Sequence, residues 1–386
     1  MAESATPTAS KTPWFSSLAA LKQDRFFWIL LLVLAGLAVA QPQKMPAYPR
    51  LVDWATIAAL AGLLVLTQAV ESSGALGRLG HLLVRRMSTE RIAALCLVSA
   101  AAILSTVLTN DVALFVIVPL TLGLCRIAPL PATRLIVFEA LAVNAGSALT
   151  PIGNPQNLFL WQLSRSSFAE FTWHMAPLVA VLSILLLALT ALVFAGTPLQ
   201  VEDRLTDAPL DRPLLMAALG MYLPFLVLTD RGGAVWACAA VVTVVAGLRT
   251  RVLARVDWGL LLVFVLMFID LRLIAGLDAV QAVIGGLGLA DPMRLYAAGI
   301  CASQLVSNVP AAIALAEYSR DWRVMAYAVN VGGFGWMVGS LANLIALRMS
   351  NDSRAWLSFH LYSMPLLLVA AGAGFFLLFT LGLSGS

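Results

Sequence analysis

Two segments of the chain repeat one pattern of asparagine and glycine. Residues 144–157 read NAGSALTPIGNPQN, and residues 330–343 read NVGGFGWMVGSLAN. Each begins and ends with asparagine and has a glycine two and nine residues after the first asparagine. Both interrupt apolar stretches, although Gly, Pro and Asn are poor helix formers. Paired interruptions of this kind in two halves of a chain indicate the solute site of a membrane transporter.

The two interrupted segments also carry groups that suit a hard cation. Unwound backbone frees carbonyl oxygens, and Ser147, Thr150 and Ser340 could add hydroxyl ligands. The alternative is that the segments are only kinks that let helices pack closely, because small residues line membrane interfaces. Kinks alone do not require asparagine at both ends of both copies. We therefore favour a site for a solute or an ion.

Two further apolar blocks, 92–125 and 292–318, break near the middle at a polar tip. The tips are Thr109-Asn110-Asp111 and Ser307-Asn308-Val309, each preceded by a serine at the same spacing, Ser105 and Ser303. We predict that both blocks are re-entrant hairpins whose tips meet a cavity. Asn110 and Asn308 either only cap helix ends, or also present the positive ends of half-helices to an anion. Their mirrored positions favour the second interpretation.

The composition is that of an integral membrane protein. Hydrophobic residues make up 61% of the 386 residues and charged residues 11%, against about 25% charged in soluble domains. Mean hydropathy is +0.91. Hydropathy predicts spans near 26–40, 52–71, 134–163 (interrupted), 174–196, 213–229, 233–249, 257–273, 322–347 (interrupted) and 359–382. The four cysteines stand singly, and the three histidines lack metal-ligand spacing, so we expect no structural metal.

The order of these elements predicts an inverted repeat. Val52-Asp53-Trp54 opens one span and Val256-Asp257-Trp258 opens another. Each is followed by a hairpin, an interrupted span and a closing span, and the two series run in opposite membrane directions. The excess of Lys and Arg on one side places the N-terminus in the cytoplasm. The predicted organisation is a cytoplasmic tail (1–25), a first repeat (26–196), a cytoplasmic linker (197–212) and a second, inverted repeat (213–386).

These motifs, in this order, resemble the ion transporter superfamily, in particular its citrate-transporter-like members. That group includes divalent anion–sodium symporters, arsenite-efflux permeases and a sodium/proton antiporter branch. The resemblance covers about residues 25–383 and is carried by Thr109-Asn110-Asp111, Asn144–Asn157, Ser307-Asn308-Val309-Pro310 and Asn330–Asn343. It implies that the tips and unwound helices enclose substrate and coupling ions, which an elevator-like motion carries across. The dicarboxylate symporters have Ser-Asn-Thr at both tips, whereas this chain has Asp111 and Val309 at the third position. The Thr109-Asn110-Asp111 tip is more similar to the arsenite-permease or antiporter branches.

Two carboxylates lie nearest the predicted site. Asp111 and Glu139 stand within apolar segments, where an ionisable group is expensive and is by default a functional candidate. Either could carry the coupled charge; the alternative is a structural pair with Arg126 or Arg134, or a carboxylate in water. Asp270 and Arg272 instead predict a local ion pair, or a snorkelling arginine beside a solvated aspartate.

The sequence thus predicts an all-α integral membrane protein, an inverted-repeat secondary transporter with about nine transmembrane helices and two re-entrant hairpins. Its cargo is a small anion or inorganic solute, coupled to Na⁺ or H⁺ by alternating access; a Na⁺/H⁺ antiporter or an arsenite efflux permease is the alternative. We expect no enzyme activity, no cofactor, no nucleic-acid partner and residence in the cell's inner membrane, with a homodimer left open. The candidate substrate- and ion-binding residues are Thr109, Asn110, Asp111, Asn144, Gly146, Ser147, Thr150, Gly153, Asn154, Asn157, Ser307, Asn308, Asn330, Gly332, Gly339, Ser340 and Asn343.

Overall fold

The computed structural model describes residues 25–78, 87–125, 128–199, 209–352 and 354–382. Its first half contains α1 (Arg25–Ala40), α2 (Trp54–Ser72), α3 (Glu90–Val107), α4 (Asn110–Leu124), α5 (Ala132–Ser147), α6 (Pro155–Ser164) and α7 (Phe168–Val193). Its second half contains α8 (Arg212–Asp230), α9 (Ala234–Leu253), α10 (Trp258–Ala275), α11 (Asp278–Gly285), α12 (Pro292–Val306), α13 (Asn308–Leu315), α14 (Trp322–Val331), α15 (Leu341–Met349) and α16 (Ala355–Phe375). Short helical segments cover Pro42–Ala47, Tyr48–Leu51, 75–78, Met337–Gly339 and Phe376–Thr380.

The described residues form an all-α membrane protein, as predicted. They contain an isolated bridge between Thr89 and Pro198 but no strand. Seven described helices are long and apolar enough to cross a membrane, and α1 with residues 42–51, bent by 118°, would make an eighth. The first arm of the first hairpin, α3, is one of the seven. The number of nine crossings and the re-entrant path of the hairpins stay predictions.

The two Val-Asp-Trp motifs form the same local structure. The Asp53 carboxylate accepts a hydrogen bond from the Thr56 amide at 3.1 Å, and Asp257 accepts one from Leu260 at 3.1 Å. Both aspartates therefore cap their helices by satisfying a free N–H group of the first turn. Each following tryptophan donates its indole N–H, at 2.8 Å, to the carbonyl five residues before it on the chain. The repeated sequence thus starts α2 and α10 in one way.

Contacts between loops define one face of the molecule, here called the Ser73 face. The Asp211 amide donates to the Ser73 carbonyl at 2.9 Å, which joins the end of α2 to the start of α8. The Thr133 hydroxyl donates to the Asp352 carboxylate at 2.6 Å, which joins the start of α5 to the end of α15. That hydrogen bond lowers the pKa of Asp352 below its usual value. The predicted topology places all four residues on the cytoplasmic side.

The opposite face, here called the Asp230 face, gathers the other helix ends. The Phe168 amide donates to Asp230 at 2.6 Å, so the loops after α6 and after α8 meet. Arg272 near the end of α10 donates to the Leu51 carbonyl at 2.6 Å, just before α2. This grouping is what the predicted topology requires, while its orientation in the membrane stays a prediction. Labelling introduced cysteines at Ser164 and Pro209 from either side would test that orientation.

The expected pairing of Asp270 with Arg272 is wrong. Arg272 forms an ion pair with Glu317 at 3.0 Å and lies 5.6 Å from the centre of the Phe268 ring. Asp270 is neither paired nor solvated: it is 1% exposed, and neither carboxylate oxygen has a hydrogen-bond partner among the described residues. Residues two apart on a helix point in different directions, so Arg272 faces a loop and Asp270 the interior.

Several boundaries also differ from those predicted. The span predicted at 174–196 begins earlier, at Phe168, because the Ser167 hydroxyl accepts from the Glu170 amide and caps the helix there. Helix α11 was not predicted, since eight residues are too few to stand out by periodicity. The predicted tail 1–25 lies outside the described residues apart from the backbone of Arg25, and residues 200–208 of the linker lie outside them as well.

Candidate functional site

Both interrupted spans break into two half-helices where the repeated motifs predict it. The first breaks between α5 and α6, and the second between α14 and α15. Asn154 ends the first break. Its side-chain oxygen accepts from the backbone N–H of Asn157 at 2.9 Å and so caps α6, which begins at Pro155. Ser340 occupies the same position before α15 but makes no side-chain cap. Two breaks of one design thus place half-helix ends inside the protein.

The repeated glycines allow these breaks to pack against the hairpins. A Cβ added at Gly146 would fall on the Ala102 carbonyl and the Ser105 hydroxyl, and one at Gly332 would fall on the Ser303 side chain. Ser105 and Ser303 are the paired serines of the two hairpins. The later glycines behave alike: a Cβ at Gly153 would fall on the Ser147 carbonyl, and one at Gly339 would lie 2.6 Å from the Gly332 carbonyl. All four candidate glycines are therefore points of close backbone approach.

The four motif asparagines exchange hydrogen bonds between the halves of the chain. The side-chain nitrogen of Asn144 donates to the side-chain oxygen of Asn343 at 2.7 Å, and that of Asn330 donates to the side-chain oxygen of Asn157 at 2.7 Å. The first asparagine of each motif thus binds the last asparagine of the other. Asn154 joins them by donating to Asn330 at 3.0 Å. We call these five residues the asparagine cluster; their side chains are 0–5% exposed, so the cluster is closed to solvent.

The asparagine amides also occupy carbonyls that the unwound backbone frees. Asn157 donates to the carbonyls of Ser147, Ala148 and Thr150 at 3.0–3.3 Å. Asn343 donates to the Gly333 carbonyl at 2.9 Å. Gly333 is the equivalent of Ser147 in the second motif, so the last asparagine of each motif binds the same backbone position. These oxygens already accept a hydrogen bond, so a cation would have to share them. The Thr150 hydroxyl is likewise engaged, by the Thr106 carbonyl at 2.5 Å.

At the hairpin tips the asparagines are the first residues of α4 and α13 and not their N-cap residues, but the Asn110 side-chain oxygen accepts from the backbone N–H of Asp111 at 3.0 Å, in the first turn of α4. Thr109 and Ser307 are the N-cap residues, and neither makes a side-chain cap. Asn110 is the first residue of α4, and its backbone N–H donates to the Gly153 carbonyl at 2.9 Å. A Cβ at Gly333 would lie 3.5 Å from the Asn308 side-chain nitrogen and 3.7 Å from Asn144. Each tip therefore touches an unwound segment.

The N-termini of four half-helices meet around the asparagine cluster. Hairpin helix α4 packs against α15 and hairpin helix α13 packs against α6, so each hairpin contacts the broken span of the other half. The hydroxyls of Thr109 and Ser340 are buried there and have no hydrogen-bond partner among the described residues. Helix N-termini carry a partial positive charge. Apart from Asp111 in the first turn of α4, the motif and tip side chains at these ends are uncharged, so the ends favour an anion or a polar oxygen ligand.

The two candidate carboxylates lie in different places. Asp111 follows Asn110 at the first tip, is partly buried, and keeps one carboxylate oxygen without a partner among the described residues. Glu139 is fully buried outside the asparagine cluster, where the Thr121 hydroxyl of α4 donates to one oxygen and the other has no described partner. The Arg134 guanidinium instead lies 6.0 Å from the centre of the Phe194 ring. Arg126 lies outside the described residues.

Two glutamines belong to this site and were not predicted. Gln304 donates to the carbonyls of Gly332 and Phe334 at 2.6 and 3.0 Å, and it accepts from the Trp336 amide at 2.8 Å. Gln156 donates to Asn330 at 3.4 Å. A long amide beside a paired serine, within an apolar hairpin arm, is the signal that could have indicated Gln304. Its repeat equivalent, Thr106, is not a glutamine, which hid it from a search for repeats.

The described residues contain seven or eight helices that could cross a membrane, two broken helices and a polar cluster buried between the two halves. Together these features define a multi-pass membrane transporter. The chain belongs to the citrate transporter family, whose model matches residues 23–323. It is 48% identical to inner membrane protein YbiR of Escherichia coli over 361 residues, 94% of this chain and 97% of that protein. It is 30% identical to an uncharacterized transporter of Methanocaldococcus jannaschii, over 86% of this chain and 92% of that protein. An uncharacterized transporter of Mycobacterium tuberculosis is 25% identical over 80% and 81% of the two chains.

Proposed function

We propose that the protein is a secondary active transporter that moves a small anion or inorganic solute, coupled to Na⁺ or H⁺, by alternating access. The observation that carries this proposal is the reciprocal exchange between Asn144 and Asn343 and between Asn330 and Asn157. It joins the two motifs of the predicted inverted repeat through symmetry-related contacts. A site shared by two such halves suits a carrier whose halves move against each other. The name of the YbiR relative supports the inner membrane as its location.

The sign of the cargo follows from what surrounds the asparagine cluster. The side chains of the cluster are neutral, and the half-helices α4, α6, α13 and α15 begin around it. The positive ends of these helices act at short range in a closed, poorly solvated volume, where electrostatic interactions are strong. Asp111 lies in the first turn of one of these half-helices, α4, which supports a co-transported cation or proton beside an anion. The Ser and Thr hydroxyls suit oxygen-rich cargo such as a carboxylate, sulfate or arsenite.

Transport by purified protein in vesicles tests this function. Vesicles that contain a pH-sensitive dye would be supplied with citrate, sulfate or arsenite under an imposed Na⁺ or H⁺ gradient. We expect one of these solutes to accumulate only when the gradient is present, since accumulation needs a coupled driving force. Protein-free vesicles serve as the control. Proton movement triggered by Na⁺ with no solute present would instead support the Na⁺/H⁺ antiporter, and failure of all solutes and of Na⁺ would contradict both.

The Na⁺/H⁺ antiporter is the second candidate because only the first of the two tips carries a carboxylate. Asp111 has Val309 as its repeat partner, so a carboxylate stands on one side of the pseudo-symmetry. Glu139 is a fully buried carboxylate of the first half, and its single described partner is the Thr121 hydroxyl. Neither forms an ion pair among the described residues. A carboxylate without a fixed cationic partner is free to exchange a proton or Na⁺ during transport.

Replacing Asp111 by Asn should separate coupling from cargo binding. The variant keeps the size and hydrogen bonding of the side chain but cannot titrate. We expect gradient-driven uptake to fall about tenfold or more and to lose its dependence on pH or Na⁺, because one buried charge interaction is removed. Exchange of cargo down its own gradient should survive in part. The measurement is uptake against pH and Na⁺ concentration in vesicles.

Asp278→Asn is the matched control, because Asp278 is exposed on α11, away from the tip. It should transport as the wild type does. Glu139→Gln is measured in parallel. An unchanged pH and Na⁺ profile in Asp111→Asn would show that this carboxylate does not carry the coupled charge. Loss of the dependence in Glu139→Gln alone would transfer that role to Glu139.

A further inference from the structure

A pocket of about 530 Å³ opens at the Asp230 face, apart from the asparagine cluster. It lies where the end of α6, the start of α2 and the loop between α8 and α9 meet, and its lining includes Trp161, Arg165, Thr229, Asp230 and Arg231. Its volume is within the range of small-molecule sites, about 300–1,000 Å³. We propose that this pocket is a capture site for a small oxyanion, such as sulfate or a carboxylate, ahead of transport. This inference rests on the proposed anion cargo.

Charge is the first observation behind the proposal. Arg165 and Arg231 line the pocket, and neither guanidinium forms an ion pair or a hydrogen bond among the described residues. Asp230 lines it too, but one oxygen of its carboxylate already accepts from the Phe168 amide at 2.6 Å. The lining therefore keeps one net positive charge. Free guanidinium groups are well shaped to bind carboxylate, sulfate or phosphate oxygens in pairs.

A buried hydroxyl is the second, independent observation. Thr229 lines the pocket, is 2% exposed, and its hydroxyl has no hydrogen-bond partner among the described residues. Burying a hydroxyl without a partner costs about 1–3 kcal/mol. The hydroxyl has almost no accessible surface, so a rotation of the Thr229 side chain would be needed for a bound oxyanion to supply the missing acceptor, while the two arginines would bind its other oxygens. The residues that line the pocket thus include both charged donors and a neutral donor without an acceptor.

Helix dipoles do not decide the sign of the ligand here. The pocket borders the C-terminal ends of α6 and α8 and the N-terminal ends of α2 and α9, so opposite partial charges meet. The last turn of α6 is also satisfied locally, because the Trp161 carbonyl accepts from the Arg165 amide at 3.2 Å and from the Ser164 hydroxyl at 2.9 Å. The arginines are therefore the dominant charges in the pocket.

One helix connects the pocket to the asparagine cluster. Asn157 lies in the first turn of α6, and Arg165 is the residue that ends this helix, in the left-handed conformation with φ 55°. Eight residues of helix separate them by about 12 Å. Exposed Trp54, Trp173 and Trp236 lie near the starts of α2, α7 and α9 at this face, as in the aromatic belt of a membrane interface. An anion bound in the pocket would therefore lie at the membrane–water interface, about one short helix away from the asparagine cluster.

Thermal unfolding of the purified protein in a neutral detergent tests the pocket without transport. Sulfate and citrate are titrated at constant ionic strength with chloride, because screening alone changes charge interactions. A ligand that binds the folded state raises the unfolding midpoint. We expect half-saturation at about tenfold higher anion concentration in Arg165→Gln and in Arg231→Gln, since each loses a charge-assisted hydrogen bond. Arg251→Gln, at the opposite end of α9, is the matched control and should bind as the wild type does.

Two further experiments test whether the stabilisation arises from anion binding at the asparagine cluster and whether a lipid headgroup occupies the pocket. Repeating the titration in Asn330→Ala removes the cluster's contribution, and Asn308→Ala replaces it if that variant cannot be purified. Adding phosphatidylglycerol to the micelles tests a lipid headgroup. Equal half-saturation in wild type and both arginine variants would overturn the proposal, as would a stabilisation that depends on the arginines and appears with the lipid only. Weaker binding in the variants, with a raised KM and unchanged kcat for uptake, would support it. Anion uptake that persists while the pocket binds nothing would leave the proposed function intact.

Discussion

We expect Asn330→Ala to lose at least about tenfold in transport rate, which corresponds to leaving one buried hydrogen-bonding group unpaired. The Asn330 side chain accepts from Asn154 and Gln156 and donates to Asn157 and to the Ala326 carbonyl. Alanine leaves all of these groups without that partner in a site closed to solvent. The half-helices α6 and α14 would then lose the bonds that hold their ends together. Solute uptake into vesicles is the measurement.

The symmetry of the asparagine exchange supplies a second test of the same site. Asn144→Ala removes the equivalent contact to Asn343, so we expect a loss of similar size. Gln281→Ala, an exposed amide on α11, is the control and should transport normally. Thermal unfolding in detergent separates loss of fold from loss of function. If folded Asn330→Ala takes up solute at the wild-type rate, the hydrogen bonds exchanged between the two motifs neither bind the cargo nor maintain the structure of the site.

We expect Gly146→Ala and Gly332→Ala both to destabilise the protein strongly. The new Cβ would fall on the Ala102 carbonyl in one case and on the Ser303 side chain in the other. Overpacking a tightly packed interior costs about 1–3 kcal/mol, and Ala102 offers backbone that cannot rotate away. The unfolding midpoint should fall in both variants, and more in Gly146→Ala. Differential scanning fluorimetry in detergent measures both midpoints.

Gly220→Ala is the matched control for this pair. No heavy atom lies within 4 Å of a Cβ at Gly220, on the exposed surface of α8. Alanine is the better helix former by about 1 kcal/mol, so the midpoint should stay the same or rise. If Gly146→Ala and Gly332→Ala melt like Gly220→Ala, the hairpins do not pack against the broken spans as closely as described. A stable variant without transport would instead indicate a functional glycine.

Elements with a strong local signal could be predicted from the sequence alone. Apolar stretches long enough to span a bilayer predicted the helices, because lipid leaves backbone groups no partner other than their own helix. Asn, Gly and Pro within those stretches predicted both breaks, and the polar tips predicted where α3 gives way to α4 and α12 to α13. The repeated spacing of 144–157 and 330–343 predicted that the two breaks are equivalent. These features depend on a few neighbouring residues, so composition and spacing reveal them.

Contacts between distant segments could not be predicted in this way. The sequence indicates that Asn144 and Asn330 are equivalent, but only the tertiary structure shows that each binds the last asparagine of the other motif. Arg272 was expected to pair with its neighbour on the chain, yet packing brings it to Glu317 and leaves Asp270 buried.

The pocket lined by Arg165 and Arg231 forms from loops that are distant in sequence and carries no repeat. Local propensity decided where this chain forms and breaks helices. The close packing of two half-chains, which pairs side chains more than a hundred residues apart, decided which polar groups meet and which are left for a ligand.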